Sequence, residues 1–252
     1  MSNLKQFTTD DETVEILKLS RIEGKTLFLP DITLERSQYE TVNKVLVALG
    51  AKWNKKARGH VFDYDIHKEI ESVIKTKTVT DWKKSTDFFY TPKNVVNEML
   101  GQINFYRHDN MKILEPSAGQ GHILDLAKEN FPNAEFIVIE KNPHHCERLR
   151  EKGYFPIQAD FMDVEPVEVD AVLMNPPFSF EIEHITHAYD FLKDGGQLIT
   201  IASAGILDKG TKKGKEFKQW FDDVYGYDYT LPANSFKESG TSVNTKMLIF
   251  NK

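Results

Sequence analysis

The chain has a single cysteine, Cys146, so it cannot form an internal disulfide or a cysteine-rich zinc cluster. It also lacks any apolar run approaching the roughly 18 residues that a membrane-spanning helix requires. The polar, acidic start from Met1 to Glu12 has no apolar segment of the kind found in signal peptides. These absences predict a cytoplasmic protein with no membrane partner.

An overall excess of positive charge is also missing, since the net charge of the 252 residues is −6. This value argues against a protein whose whole surface binds nucleic acid. The charges are unevenly distributed, because residues 16–85 contain 14 basic and 9 acidic side chains, whereas residues 86–252 contain 17 basic and 25 acidic side chains. Any basic surface is therefore expected in the first third of the chain.

The sequence pattern predicts two domains, 1–85 and 86–252. In the first, we expect a strand at Thr26 to Leu29 and a helix at Ser37 to Leu49. A strand pair with Trp53 on one side and Val61 to Tyr64 on the other would flank a basic turn. These elements indicate a small α+β module.

From Met111 onward, apolar runs alternate with helix-length segments, which is typical of a parallel sheet covered on both faces. The predicted strands are Lys112 to Glu115, Glu135 to Glu140, Phe155 to Asp160, Val169 to Asn175, Gln197 to Ser203, Tyr227 to Leu231 and Lys246 to Phe250. The predicted helices are Gly121 to Asn130, Pro143 to Lys152, Glu181 to Lys193 and Lys212 to Val224. The predicted fold class is therefore α/β, with a Rossmann-like, doubly wound, seven-stranded sheet.

A glycine-rich loop, Glu115 to Gly121, follows the first of these strands. Its two glycines, Gly119 and Gly121, allow the backbone to pass close to a ligand. A dinucleotide fingerprint would need a third small residue where Leu124 stands, so that motif is incomplete. Glu115 would repel a pyrophosphate but tolerates a ligand with an ammonium and a sulfonium group. S-adenosylmethionine (SAM) therefore fits this loop better than NAD.

Acidic residues end the second and third predicted strands. Glu140 lies 21 residues after Gly119, where a carboxylate can accept hydrogen bonds from both ribose hydroxyls. Asp160 can accept a hydrogen bond from an adenine amino group, and the neighbouring Phe161 offers a ring that can stack on the base. The alternative is that each acid is an ordinary surface residue at a strand end.

The tetrapeptide Asn175-Pro176-Pro177-Phe178 ends the fourth strand. The two prolines hold the chain extended, so the Asn175 side chain and the Pro176 carbonyl face one point. Two hydrogen bonds from a conjugated amino group to these acceptors favour the tetrahedral nitrogen that attacks a methyl carbon, while Phe178 stacks on the planar substrate. In a doubly wound sheet this motif and the glycine loop share one edge. The alternative is a strand terminator followed by a buried Phe.

The combination resembles class I SAM-dependent methyltransferases, specifically the N6-adenine DNA methylases whose glycine loop precedes Asn-Pro-Pro-aromatic. The resemblance covers about residues 86–252 and adds Phe89 to Pro92 as a first motif. It implies that SAM is bound by Tyr90, Thr91, Pro92, Glu115, Pro116, Ser117, Ala118, Gly119, Gly121, Glu140, Asp160, Phe161 and Asn175, and that Asn175, Pro176, Pro177 and Phe178 are catalytic.

The resemblance also points to Phe236, in the stretch Leu231 to Phe236, as a second aromatic against the target base, although a buried Phe in the last hairpin is an equal alternative. Two features depart from the family. No large target-recognition domain follows the last strand before Lys252, so recognition is expected from the first module or from loops. Phe178 replaces the commoner Tyr, which shifts the interpretation away from protein-glutamine and ribosomal-RNA methylation.

Two basic stretches are candidates for nucleic-acid contacts. The first comprises Lys52, Trp53, Lys55, Lys56 and Arg58, and the second comprises Lys212, Lys213 and Lys215. The alternatives are a solvated hairpin tip over a core Trp and a flexible loop. We expect no metal site, because the adjacent residues His144 to Cys146 rarely converge on one ion and His184 and His187 have no further ligands.

The sequence therefore predicts a SAM-dependent adenine methyltransferase that acts on double-stranded DNA and flips its target base into the Asn175 to Phe178 pocket. RNA adenine or protein glutamine methylation is the same-class alternative. A non-catalytic DNA- or partner-binding protein on the same fold is the alternative of another class. The recognition sequence, a monomeric or dimeric state and a nuclease partner stay open.

Overall fold

The computed structural model describes residues 5–62, 64–81, 90–103, 110–232, 234–237 and 244–252, so Phe89 and Ala233 of the predicted motifs lie outside the described residues. The chain divides into two compact units, Met1–Thr86 and Asp87–Lys252. Among the described residues, no helix is both long enough and apolar enough to cross a membrane.

The first unit combines helices with short antiparallel strands. Its described elements are β1 (Gln6–Thr8), α1 (Asp11–Leu19), β2 (Arg21–Glu23), β3 (Thr26–Phe28), α2 (Arg36–Ala48), β4 (Lys52–Asn54), β5 (Gly59–Val61), α3 (His67–Thr76) and β6 (Thr78–Thr80). One sheet has the order β2-β3-β5-β4, and β1 pairs with β6. The predicted first strand and helix are confirmed to within one residue at each end. The second hairpin strand begins and ends earlier than predicted, and Phe62 and Tyr64, beyond its end, pack into the hydrophobic core.

The second unit contains the central sheet. Its described elements are α4 (Lys93–Gly101), β7 (Lys112–Glu115), α5 (His122–Asn130), β8 (Glu135–Val138), α6 (Pro143–Glu151), β9 (Val169–Met174), α7 (Glu181–Asp190), β10 (Leu192–Ser203), α8 (Lys212–Asp223), β11 (Tyr227–Thr230) and β12 (Thr245–Asn251). The strand order is β11-β12-β10-β9-β7-β8. Strands β8, β7, β9 and β10 are parallel, and β12 runs antiparallel to both of its neighbours.

The described sheet has six strands rather than the predicted seven. The segment from Phe155 to Asp160 makes a single parallel bridge, between Ile157 and Ile139, instead of a strand. Pro156 has no N–H to donate to a ladder, and the side chain of Asp160 turns the chain by accepting a hydrogen bond from the Met162 N–H at 3.2 Å. This segment therefore borders the sheet without extending it.

Hydrophobic clusters cover both faces of the sheet. In β9, Val172 shares one cluster with Ile185 of α7, whereas Leu173 shares the other with Val95 of α4 and Ile123 of α5. Successive strand residues point to opposite faces, and each buried side chain of this size contributes about 1.5–3 kcal/mol. The structure confirms the predicted α/β, doubly wound architecture.

The connection between α7 and β10 differs from the prediction. Helix α7 ends at Asp190, and Leu192 already pairs with Val169 of β9. Gly195, which adopts a positive φ of 78°, lies in the irregular part of β10 before the regular pairing resumes at Gln197. The last two residues of the predicted helix, Leu192 and Lys193, therefore belong to the strand, and Phe191 caps the helix.

Candidate functional site

A small cavity of about 20 Å³, partly open to solvent, lies in the second unit, where β7 and β9 end. It is lined by Tyr90, Thr91, Glu115, Ser117, Ala118, His122, Ile123 and Asn175. Because the carboxyl ends of parallel strands meet at one edge of the sheet, residues that are up to 85 positions apart in the sequence share this wall. Six of the eight residues belong to the predicted site.

Two lining residues, His122 and Ile123, were not predicted. They form the first turn of α5, directly after the glycine loop. The signal that could have found them is the loop-to-helix transition, since the first turn of a helix after a glycine loop faces the same ligand space as the loop. The ring centroids of His122 and Tyr90 lie 5.0 Å apart at an angle of 32°, so these side chains pack together on the wall.

The glycine loop has the conformation that requires its glycines. Gly119 and Gly121 have φ angles of 54° and 85°. A Cβ at Gly121 would lie 2.9 Å from Leu149 Cδ2, so a larger residue there meets both backbone strain and a packed neighbour. Pro116 is buried, and the Ala118 N–H donates to the Ile139 carbonyl at 3.1 Å. This hydrogen bond holds the loop against the segment that follows β8.

Glu140 supports this loop from the end of the second strand. Its Oε2 accepts a hydrogen bond from the Gly119 N–H at 2.7 Å, and its Oε1 accepts one from the Asn142 N–H at 2.7 Å. Each carboxylate oxygen has a second lone pair, so the group can still accept from a hydroxyl. Sequence reasoning predicted a ribose contact for Glu140, which stays a prediction, but it missed that Glu140 fixes the loop.

Glu115 is the buried carboxyl on the cavity wall and is only 1% exposed. Its Oε1 accepts a weak hydrogen bond from the Ser117 N–H at 3.4 Å, while its buried Oε2 has no hydrogen-bond partner among the described residues. Burial raises the pKa of Glu115 well above its usual value; the Ser117 hydrogen bond opposes this and the charge of Glu140 adds to it. An unpaired buried oxygen facing a cavity is what a cationic group would satisfy.

Asn175 follows β9 and reaches the cavity with its amide group. Its Nδ2 donates a hydrogen bond to Thr91 Oγ1 at 3.1 Å. Pro176 is buried, and Pro177 has extended backbone angles of φ −60° and ψ 122°. Phe178 begins a short 3₁₀ turn and is half-buried against the hydrophobic cluster that contains α4. The tetrapeptide is therefore an extended segment whose polar and aromatic groups are both partly accessible.

The first motif is placed by helix α4. Pro92 is the N-cap residue of this helix, with φ −60° and ψ 149°, and Val95, Val96 and Met99 are buried below it. Tyr90 and Thr91 precede the cap and line the cavity. Tyr90 and Thr91 of the predicted first motif are thus brought to the same wall as Glu115.

Asp160 and Phe161 lie outside the cavity lining. Lys141 Nζ is 3.9 Å from Asp160 Oδ2. Phe161 is buried, and its ring packs 4.7 Å from His187 and 5.3 Å from Phe191, measured between centroids. The structure therefore places this ring in the core rather than on the cavity wall, and stacking on an adenine stays a prediction.

His184 connects this aromatic cluster with the glycine loop. Its Nδ1 lies 3.5 Å from Ser117 Oγ, and its ring centroid lies 5.5 Å from that of Phe161. Burial lowers the pKa of His184 to about 4, although the nearby Asp160 opposes the decrease. Among the described residues, no group of three or more His, Cys, Asp or Glu side chains is arranged to hold a metal ion.

Phe236 is only 2% exposed and belongs to the hydrophobic cluster with Met99, Met111 and Met247. A base that stacks on this ring would need an exposed face, which the ring does not offer in this structure. The structure therefore favours the alternative, a buried Phe in the last hairpin, over the base-stacking role.

The first basic stretch forms a well-defined hairpin tip. Asn54 Oδ1 accepts hydrogen bonds from the N–H groups of Lys56 and Ala57 at 2.9 and 3.0 Å, and Arg58 adopts a positive φ of 53°. Trp53 is 50% exposed and packs edge-on against His60. The basic side chains are exposed and have no ion-pair partner within the described ranges: Lys52, Lys55, Lys56 and Arg58.

The second basic stretch begins helix α8. Lys213 forms an ion pair with Glu183, and Lys212 lies 3.8 Å from Glu216 one turn later. Lys215 is exposed. Neighbouring carboxylates therefore neutralise part of this stretch, in contrast to the hairpin tip.

The fold and the cavity define a doubly wound α/β protein with a ligand space at the carboxyl edge of its sheet. It shares this fold with the crystal structure of a type I restriction-modification system methyltransferase subunit from Streptococcus thermophilus, with a TM-score of 0.56, 22% identity, and coverage of 65% of this chain and 45% of that one. A precorrin-6y C5,15-methyltransferase from Geobacter metallireducens GS-15 gives a TM-score of 0.47 at 15% identity and covers 66% of this chain and 93% of its own.

In sequence, the chain is similar to the modification methylase CviBIII of Paramecium bursaria Chlorella virus NC1A. The two are 30% identical over 109 residues, which are 40% of this chain and 29% of the methylase. The chain therefore spans less than a third of the length of this relative. No protein-family model matches the chain.

Proposed function

We propose that the protein is a SAM-dependent methyltransferase that methylates the N6 amino group of adenine in double-stranded DNA. The observation that carries the proposal is that one cavity wall combines Glu115, whose buried Oε2 has no hydrogen-bond partner among the described residues, with the Asn175 amide. The Glu115 carboxyl suits a cationic cofactor, and the Asn175 amide suits a substrate with an amino group. The similarity to a modification methylase supports methyl transfer and a place in restriction-modification. The proposed location is the cytoplasm.

Residues on this wall and at the neighbouring strand ends fit the chemistry of SAM. Glu115 would bind the ammonium group, the loop through Gly119 would follow the sugar, and the free lone pairs of Glu140 would accept from the ribose hydroxyls. Asp160, which lies outside the cavity lining, would accept from the adenine amino group, whereas stacking of the adenine on Phe161 would require its buried ring to become exposed. When bound, the cofactor supplies an electrophilic methyl group on its sulfonium.

The chain's own contribution to the reaction is to position and polarise the amino group. Asn175 Oδ1 and the Pro176 carbonyl accept its two N–H groups, which frees the nitrogen lone pair from conjugation with the ring. Phe178 stacks on the base, which must leave the duplex because stacking hides the amino group. The nitrogen gains the methyl group and then loses a proton to water, so no general base on the protein is required.

Replacing Glu115 with Gln is expected to weaken SAM binding by about 10- to 100-fold, because a charge-assisted hydrogen bond is lost. In the wild-type protein, the raised pKa of Glu115 means that the carboxyl must release a proton to pair with an ammonium group. SAM affinity should therefore rise with pH until Glu115 is ionised in the free protein, and the Gln variant should lose this dependence. Calorimetric titration across pH measures both effects.

Glu129→Gln is the matched control, since Glu129 is an exposed carboxylate on α5 outside the cavity. Its SAM affinity and pH dependence should equal those of the wild type. An unchanged affinity in Glu115→Gln would contradict the cofactor assignment.

The hairpin tip is proposed to contact the DNA backbone. Changing Lys52, Lys55, Lys56 and Arg58 together to Gln should weaken binding to any DNA sequence and lower the slope of log K against log salt by about 3–4, because each phosphate contact releases about one counterion. SAM affinity should not change. Fluorescence anisotropy at several salt concentrations provides the slope.

Lys68→Gln with Lys75→Gln is the control for this variant, because both lysines are exposed on α3 of the same unit. The control should retain the wild-type slope. A wild-type slope in the hairpin variant would rule out a backbone contact there and leave the second basic stretch as the candidate.

The proposed function is tested by offering the purified protein methyl-labelled SAM with DNA, RNA or protein separately. We expect label in DNA, released on digestion as N6-methyladenine, and none with the Asn175→Ala variant. Label in RNA or in protein glutamine would contradict DNA as the substrate and would support RNA adenine or protein glutamine methylation instead. SAM binding without transfer to any acceptor would favour the non-catalytic binding protein.

A further inference from the structure

A buried carboxylate that the methyl-transfer step does not use begins helix α7. Glu181 is only 1% exposed and comes three residues after Phe178. Its Oε2 accepts a hydrogen bond from the Ser203 N–H at 2.7 Å, and its Oε1 accepts from Ser203 Oγ at 2.5 Å and from Lys209 Nζ at 2.7 Å. A buried charge is unfavourable unless it is paired and hydrogen-bonded, and these donors satisfy both oxygens. All three donors come from residues 203–209, the β10–α8 segment.

The strand register places the β10–α8 segment beside the Asn175 to Phe178 tetrapeptide. Strands β9 and β10 are parallel neighbours, and Met174, the last residue of β9, pairs with Thr200. Strand β10 continues for three more residues, which pair with β12 as far as Ser203 and Thr245. At about 3.3 Å per residue, β10 therefore extends about 10 Å beyond the level at which β9 ends.

The strand order decides which side of the tetrapeptide this extension occupies. Strand β9 lies between β7 and β10. Glu115 and the cavity lie on the β7 side, whereas Ser203 lies on the β10 side. A base held by Asn175 and Phe178 would therefore have the cofactor on one side and the β10–α8 segment on the other.

Glu181 fixes the β10–α8 segment at both of its ends. Ser203 is the last residue of β10, and Lys209 follows the short 3₁₀ turn Ile206–Asp208. Glu181 itself is joined to the tetrapeptide by the 3₁₀ turn Phe178–Phe180. One carboxylate thus connects the segment to the backbone that carries the proposed base-binding groups.

We propose that Glu181 is a positioning residue for the target base, because it holds the β10–α8 segment as the wall of the substrate site opposite the cofactor. The proposal rests on the proposed adenine methyltransferase function. A residue with this role affects the use of DNA, whereas SAM binding on the other side of β9 is unaffected. The kcat/KM for DNA and the Kd for SAM therefore report on the role separately.

Glu181→Gln tests this role directly. The Ser203 N–H and the Lys209 ammonium can only donate, and they bind different oxygens of the carboxylate. In either orientation, the Gln amide places its NH₂ group against one of these donors. We expect kcat/KM for unmethylated plasmid DNA to fall about 5- to 20-fold with an unchanged SAM Kd, since a hydrogen bond to a charged group contributes a factor of about 10 or more. Methyl transfer from labelled SAM and calorimetric SAM titration provide the two values.

Lys209→Met removes a donor whose side chain is partly exposed, so it disturbs the buried network less. It should also lower kcat/KM for DNA and leave the SAM Kd unchanged. The two variants together separate positioning from a direct contact of Lys209 with a DNA phosphate. Glu181→Gln retains the Lys209 charge and removes its counter-charge, so a phosphate contact predicts unchanged or improved use of DNA, whereas positioning predicts a loss. Ser203→Ala removes an uncharged donor and replaces Glu181→Gln if that variant does not fold.

Lys193→Met is the matched control, because it breaks a similar ion pair at the opposite end of the same two strands. Lys193 pairs with the buried Asp170, which also accepts a hydrogen bond from the Lys112 N–H at 2.8 Å. This pair resembles the Glu181 pair in its burial and in its partners, but it lies at the amino end of the sheet. The control should retain the wild-type kcat/KM for DNA and the wild-type SAM Kd, both per folded protein.

Wild-type kcat/KM for DNA in Glu181→Gln or Lys209→Met would overturn the positioning role. An equal loss in Lys193→Met, or a loss of SAM affinity in Glu181→Gln, would also overturn it, because either result indicates a general structural effect. If the wild-type protein binds SAM but transfers no methyl group to DNA, the proposed function fails, and this proposal fails with it.

Discussion

Asn175→Ala is expected to lower kcat for methyl transfer by about 10²–10³-fold while leaving the SAM Kd nearly unchanged. The substitution removes the acceptor that polarises the target amino group, and a single preorganised hydrogen-bonding group of this kind has an effect of that size in other enzymes. The backbone should stay in place, because Pro176 and Pro177 restrict it locally. Single-turnover transfer from labelled SAM measures the rate, and calorimetry measures the affinity.

Asn130→Ala is the control for this substitution, since Asn130 lies at the exposed end of α5 and donates to the Leu126 carbonyl of its own helix. Its rate and affinity should match those of the wild type. Turnover retained in Asn175→Ala would exclude the proposed mechanism. A large loss of SAM affinity would assign Asn175 to the cofactor instead.

The buried His184 is expected to make stability depend strongly on pH. Burial lowers its pKa to about 4, compared with about 6.5 in an unfolded chain. The folded state therefore takes up this proton less readily than the unfolded state, so the associated stability is present above about pH 6.5 and is lost as the pH falls toward 4. The difference corresponds to about 3 kcal/mol.

The variant His184→Asn isolates this contribution, because Asn is neutral at every relevant pH and its amide can approach Ser117 as Nδ1 does. Between about pH 7 and pH 4.5, the free energy of unfolding should fall more in the wild type than in the variant, by about 2 kcal/mol, because the proton uptake is not yet complete at pH 4.5. Urea unfolding at each pH provides the values. His67→Asn, at an exposed position, controls for the substitution. Equal losses in wild type and His184→Asn would contradict the assignment.

Elements with strong local signals could be predicted from the sequence. Strand β7 is predicted with its exact bounds, and β9 ends where the prolines stop the ladder at Asn175. The segment Phe155 to Asp160 was predicted wrongly, because its apolar residues resemble a strand while Pro156 and the Asp160 turn prevent one. Periodicity reports which residues are apolar, but it does not report whether the backbone groups find partners.

In the candidate site too, some residues could be predicted from local motifs, whereas others depend on the tertiary structure. Glu115, Ser117, Ala118 and Asn175 were identified by motif, and the structure brings them to one cavity. His122 joins them only because α5 begins at the loop. The stacking roles of Phe161 and Phe236 depend on which way a ring faces, and sequence neighbours do not determine that direction.

The sequence by itself determined the parallel strand pattern, the glycine loop and the extended Asn-Pro-Pro segment, because each follows from local backbone chemistry. Only the tertiary structure decided that Phe236 is a core residue and that Thr91 forms a hydrogen bond with Asn175. It also decided that Glu115 is buried with one oxygen that has no partner in the part of the chain that the structure describes. Burial and long-range hydrogen bonds arise when distant segments pack together, and the free-energy cost of an unpaired buried group exists only in that packed state.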